Sequence, residues 1–166
     1  MHPIQRFIDA QQGKDFYPSY QSAYAEIKAG KKQSHWIWYI FPQLAALGYS
    51  STAKYFGIVD LNEACEFIQH KELFNNYYEM AQLVLRQLEK TPITVLMGGT
   101  IDALKLTSSL TLFREAAAFL LSQGANYHDF MSLIECCDQL FKKLSNQGYF
   151  PCKKTQLFVQ SCLPQK

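Results

Sequence analysis

The chain has 166 residues, 48% of them apolar, with twelve Phe, ten Tyr and two Trp. That is enough to close one hydrophobic core, and residues 1–166 are expected to form a single domain; a disordered chain would not carry this aromatic inventory. Sixteen Lys and Arg against fourteen Asp and Glu leave a formal charge of +2, without the strong positive field that non-specific binding to a phosphate backbone relies on.

The N-terminus, Met1-His2-Pro3-Ile4-Gln5-Arg6, lacks the apolar run of a signal peptide, and no stretch of ~18 apolar residues follows it, so a cytoplasmic protein is expected. From Ile4 to Gln12, Ile4, Phe7 and Ile8 fall on one helical face, and Gly13 stops the segment. A second helix follows Pro18 and runs to Gly30. The run His35 to Phe41 is short, aromatic and β-branched, which suits a strand as well as a helix. No convincing partner strand exists, so the spacing predicts a short helix capped by Ser34, begun at His35 and ended by Pro42.

Asp60 with Glu63 marks a capping-box-like start, after which Leu61, Ala64, Cys65 and Ile68 recur at helical spacing. Leu73, Tyr77, Met80, Ala81, Val84 and Leu88 form the next stripe, stopped by Thr91-Pro92. Thr100 is expected to cap a helix with Leu106, Leu110, Phe113, Ala117 and Leu120 inward, ending near Gln123-Gly124. Asn126 caps another, with Phe130, Leu133, Ile134, Cys137, Phe141 and Leu144 on its apolar face. From Tyr149 to Lys166 the pattern is mixed and assigns no element. The whole is an all-α, multihelical domain with orthogonal or irregular helix packing.

Cys65, Cys136, Cys137, Cys152 and Cys162 contain no Cys-x-x-Cys pair, which spells out neither a zinc ribbon nor a thioredoxin motif. Reduced thiols are the expectation. His2, His70 and His128 share no ligand spacing, so no metal and no cofactor are implied. Lys142-Lys143 and Lys153-Lys154 read as solvated surface.

Two polar segments carry the candidate chemistry. In Lys31-Lys32-Gln33-Ser34-His35-Trp36, cations and a hydroxyl meet the start of the expected helix, where free N–H groups and the positive dipole end favour an anion. In Asp102-Ala-Leu-Lys105-Leu-Thr107-Ser108-Ser109-Leu-Thr111, the helical period puts Lys105, Ser108 and Ser109 on one side, bordering the apolar stripe. Such hydroxyls can bond a carbonyl one turn back, or serve a ligand. Lys105 could also act as base to a serine. Lys-x-x-Ser is the reverse of the β-lactamase order, so that motif is not matched.

Three segments together resemble the family known as domain of unknown function 1810, which also carries the label calpastatin-like. They are Arg6-Phe7-Ile8-Asp9-Ala10-Gln11, Lys32-Gln33-Ser34-His35-Trp36-Ile37-Trp38-Tyr39-Ile40-Phe41-Pro42-Gln43, and Asp102 to Phe113. Ile37 stands where the family usually has Met, Tyr39 where it often has Phe, and Leu110 replaces another Met. The resemblance implies an all-helical fold and marks the two polar segments as the family's signature, without an activity. The calpastatin label does not fit, because such an inhibitor is an extended, repeat-bearing chain.

The leading expectation is a pocket between the two segments for a small anionic, phosphorylated or nucleotide-like metabolite. Its ligand-binding residues would be Lys32, Ser34, His35, Trp36, Trp38, Gln43, Asp102, Lys105, Ser108 and Ser109. If it also catalyses, His35, Lys105 and Ser108 are the candidates. The alternatives are a non-enzymatic protein-interaction module and, further off, a nucleic-acid-binding domain; no membrane partner is expected.

Overall fold

A computed structural model describes residues 4–164. Met1, His2 and Pro3, on which part of the N-terminal reading rests, and the last two residues lie outside it. Among the described residues ten α-helices follow in order: α1 (Gln5–Gln11), α2 (Tyr20–Lys28), α3 (Ile37–Ile40), α4 (Ser51–Phe56), α5 (Leu61–Gln69), α6 (Lys71–Gln87), α7 (Ile93–Leu96), α8 (Thr100–Ser122), α9 (Tyr127–Ser145) and α10 (Lys153–Cys162). Short 3₁₀ turns occupy Lys14–Phe16 and Ala45–Leu47. Among the described residues there is no strand, and β pairing is limited to a parallel bridge between Leu44 and Ile58. The fold is thus all-α and multihelical, with irregular packing.

Local chemistry accounts for most of the boundaries. Ser19, Ser50, Asp60 and Asn126 each accept a backbone N–H of the first turn that follows. At the junction of α5 and α6 a single residue, His70, ends one helix and caps the next, its Nδ1 accepting from the Leu73 N–H at 3.4 Å. Three caps differ from expectation. Gly99, with φ 144°, precedes α8, so Thr100 is its first residue. Glu63 does not return to the Asp60 N–H; its carboxylate takes the Val59 N–H at 3.2 Å and Arg6 Nη2 at 2.9 Å. Ser34 does not cap α3 at all: the helix begins only after Trp36, with no side-chain cap.

The core closes around α8, which packs most extensively against α9, α5 and α10 and also meets α7 and α3. At its centre the rings of Phe67 (α5), Tyr77 (α6) and Phe113 (α8) interlock, with centroids 4.9 Å apart for Phe67–Phe113 and 4.8 Å for Tyr77–Phe113. Phe41, just past α3, meets Tyr77 edge-on at 5.2 Å. The Tyr77 hydroxyl is paired with Ser109 Oγ at 2.9 Å. A second layer joins Phe7 to Phe67 and Phe56, and Tyr39 to Tyr17 and Phe56.

Arg6 ties these layers together from the N-terminal helix. Besides Glu63 it donates to the carbonyls of Tyr55 at 2.6 Å and Gly57 at 2.8 Å. Gly57 is held where a Cβ would lie 2.4 Å from Ala45 Cα and 2.8 Å from the Ala53 carbonyl. We expect Gly57→Ala to cost about 1–3 kcal/mol by overpacking, roughly 2–12 °C in a thermal melt of a chain this size. An unchanged melting temperature would contradict the close approach.

Candidate functional site

The segment after α2 is organised by one carboxylate. Gly30, at φ 98°, turns the chain out of the helix, and Glu26 in the last turn of α2 then gathers the loop. It accepts the N–H groups of Gln33 at 2.6 Å and Ser34 at 2.8 Å, the Ser34 hydroxyl at 2.7 Å and the Trp36 indole N–H at 2.9 Å. Burial pushes the Glu26 carboxyl up, but these hydrogen bonds outweigh it and hold the group below the ordinary carboxylate range. Ser34 therefore faces back to α2. The expected anion site at the start of a Ser34-capped helix is not formed, because both donors of Ser34 are taken and α3 is a single turn.

Lys32 is buried, 7% exposed. Its N–H donates to the Leu96 carbonyl at 2.8 Å, which fixes the loop against α7. Gly98 closes over it at φ 74°, its missing Cβ only 3.1 Å from the Lys32 carbonyl oxygen. The Lys32 ammonium donates to the Ser34 carbonyl, pairs with Asp102 Oδ2 at 2.8 Å and lies 5.0 Å from the Trp36 ring centroid. Asp102 stands in the first turn of α8, where the helix dipole favours a carboxylate.

Lys105, one turn on, reaches the same carboxylate at 3.7 Å and lies over the Trp38 ring, 3.6 Å from its centroid. Burial lowers the Lys105 pKa, partly offset by Asp102, while Lys32 lowers it further. Two lysines, each on the face of an indole, thus share one carboxylate. The segments Lys32–Gln43 and Asp102–Phe113 meet at this cluster.

Trp38 and His35 also line an open cleft of about 600 Å³ together with Tyr17, Pro18, Gln33, Ser34 and Thr52. His35 is exposed there, whereas Trp36 is wholly buried. Gln43 has a different place: its carbonyl accepts the Ile58 N–H at 2.9 Å beside the Leu44–Ile58 bridge.

The α8 serines do not face this cleft. Ser109 is fully buried and bonded to Tyr77, so its hydroxyl is occupied in the core and does not border it. Thr107 and Ser108 return their hydroxyls to the Leu104 carbonyl, at 2.7 and 3.2 Å, and Thr111 to that of Thr107 at 2.7 Å. Ser108 and Lys105 are not bonded to one another, so a serine activated by that lysine is not assembled here. Among the described residues, no group of three or more His, Cys, Asp or Glu is placed to hold a metal ion. No helix among them is long and apolar enough to cross a membrane.

Sequence reasoning had no means of finding Glu26, a lone acid on the polar side of a helix. The Glu26→Ala variant should leave the Trp36 indole and two loop N–H groups without acceptors, at a cost of about 2–4 kcal/mol. Because the folded carboxyl titrates low, its contribution is present above the ordinary carboxylate range and is lost as pH falls through the folded value. The gap between the two melting temperatures should therefore narrow in acid; equal stability at neutral pH would contradict the role.

These features define an all-α, multihelical protein with a paired-lysine, paired-indole cluster beside an open cleft. A family model described as Protein of unknown function (DUF1810) matches residues 1–132, and the chain belongs to that family. Among solved structures it is similar to the conserved hypothetical protein Rv1873 from Mycobacterium tuberculosis. The two share 37% identity, covering 80% of this chain and 84% of that one, with a TM-score of 0.63. A comparison with curated proteins finds no match.

Proposed function

We propose that the chain binds a small anionic ligand, phosphorylated or nucleotide-like, in the cleft at His35 and Trp38, as a cytoplasmic metabolite-binding protein. The observation that carries this reading is the sharing of Asp102 between Lys32 and Lys105. One carboxylate against two ammonium groups leaves a net positive charge in a partly buried place, where it is weakly screened and favours an anion. Glu26 pairs with neither lysine; its hydrogen bonds go to the Gln33 and Ser34 N–H groups, the Ser34 hydroxyl and the Trp36 indole.

Lys32 is the structural member of the pair, buried and doubly bonded; Lys105, half-buried and more loosely held, is the one free to turn to a ligand. Trp38 offers a ring to stack on, and His35 an exposed imidazole at the rim. Ser109 has no part in this reading, and binding without catalysis is the function proposed.

Lys105→Met keeps the stem of the side chain and removes its charge. The variant should melt within a few degrees of the parent. Inorganic phosphate, sugar phosphates and nucleotides, screened by thermal shift, should stabilise the parent alone. At a hundredfold excess over Kd a true ligand adds about 2.7 kcal/mol, on the order of 5–11 °C. The response should fade in alkali earlier than for an ordinary lysine, as Lys105 deprotonates. A parent indifferent to every anion, or a variant that responds equally, overturns the proposal.

A further inference from the structure

The cleft beside the lysine pair has two kinds of lining. Tyr17, Pro18 and Trp38 supply flat apolar surface, and Gln33, His35 and Thr52 supply polar edges. Tyr17 is held edge-on against Tyr39 at 5.5 Å and Phe56 at 5.4 Å, and the Tyr39 hydroxyl donates to the Pro18 carbonyl at 2.6 Å, so this wall is fixed from behind. The three polar residues are exposed, and among the described residues none of their side chains is engaged in a hydrogen bond. A carboxamide offers donors and an acceptor side by side, and a hydroxyl and an imidazole add more of each. Rings for stacking with free polar groups around them form the combination that takes a nucleobase by its face and its edge. A sugar phosphate has no planar face to stack.

The segment that leads into this wall is strained. Gly13 turns the chain out of α1 at φ 81°, and the two residues after Lys14 also take positive φ, 54° at Asp15 and 64° at Phe16. The left-handed region brings the Cβ of an ordinary residue against its own carbonyl oxygen, and among the described residues only these two side chains adopt it. Phe16 is in addition 103% exposed, so its ring has no more cover than in an unfolded chain. Nothing in the fold compensates either cost. Glycine or asparagine would serve the turn better, so the turn does not account for a phenylalanine. Strain that persists against an exposed apolar ring marks a group kept for a ligand. The turn is held from both sides, since the Tyr17 N–H donates to the Lys14 carbonyl at 3.2 Å and Lys14 Nζ pairs with Asp9 at 2.8 Å. Phe16 directly precedes Tyr17, their Cα atoms about 3.8 Å apart, so its ring is anchored one residue from the cleft wall.

We propose that the ligand of the cleft is a nucleoside phosphate whose base lies against Trp38, and that Phe16 is a ligand-binding residue whose ring folds over that base from the Tyr17 side. This rests on the anion-binding function proposed for the cleft and narrows its ligand class. The phosphate falls to Lys105, whose ammonium lies over the same indole, while Gln33, His35 and Thr52 meet the edges of base and ribose. Rotation about the Phe16 side-chain bonds carries the ring from solvent to ligand with the backbone unchanged. The exposed ring and the face of the base then leave water together, a gain that a sugar phosphate cannot supply. Selection among anions therefore comes from the rings, since a nucleoside monophosphate and a pentose phosphate present the same phosphate to Lys105.

Isothermal titration calorimetry of the full chain would compare the four ribonucleoside monophosphates with ribose 5-phosphate. The nucleotide that binds best should do so at least roughly tenfold more tightly than ribose 5-phosphate, the factor that one stacked base commonly contributes. Phe16→Gly removes the ring and suits the positive φ. This variant should melt no lower than the parent, bind that nucleotide about tenfold more weakly, and leave the affinity for the pentose phosphate unchanged. Phe16→Tyr keeps a ring for stacking and should stay within about threefold of the parent. Equal affinity for ribose 5-phosphate and all four nucleotides overturns the assignment of a base and leaves anion binding standing, whereas silence toward every anion removes both. Nucleotide affinity undiminished in Phe16→Gly, or lost in equal measure for the pentose phosphate, overturns the role assigned to Phe16.

Discussion

Helix α8 is covered on most of its circumference, and the rest of the molecule is arranged to make that possible. Its twenty-three residues pass through the middle of the protein, packed against α5, α9 and α10. Any polar side chain on such a helix must find its partner inside the fold. The hydroxyls of Thr107, Ser108 and Thr111 do so by bonding the carbonyls one turn back, and Ser109 by meeting Tyr77. These small side chains also let neighbouring helices come close, which compensates their modest helix propensity. At the N-terminal turn, where the cover thins, Asp102 and Lys105 take over and the polar cluster begins.

Two acids hold the Lys32–Trp38 segment by different means. Glu26 fixes its backbone and the Trp36 indole with neutral donors, whereas Asp102 fixes its lysine by charge. The indoles are placed between these anchors, each with an ammonium on one face. Rigidity of this kind suits recognition, since a preorganised site loses little entropy when occupied.

The long helices were legible because their apolar residues recur at helical spacing and their caps are conventional: Asp60, Asn126 and the Thr91-Pro92 stop mark them plainly. The contact between the two signature segments lay open in sequence, for nothing in their separation says that Lys32 meets Asp102. What misled was α8. A bordering position was inferred for Ser109 on the assumption of one exposed flank, and a helix covered on most sides has none there. Ser34 misled for a related reason. Hydroxyl before apolar run is the mark of a cap, yet the stronger acceptor, Glu26 eight residues earlier, captured it. Helix α10 escaped notice because only Thr155 and Val159 along it are buried, too few for a periodic stripe, and because cysteine is not among the residues that usually announce a helix start.

The junction at His70 carries a different lesson, about how this fold tolerates change in chain length. With a single extended residue serving as the end of α5 and the cap of α6, the corner has no slack. A residue added within the first turn of α6 would turn the rest of that helix by ~100° about its axis, moving Tyr77 away from Phe67 and Phe113 and leaving Ser109 without its partner. Longer connections, such as residues 146–152 between α9 and α10, can absorb an insertion by bulging into solvent. Divergence in length within this architecture is therefore expected to accumulate in such connections, with the α5–α6 corner kept to its residue count.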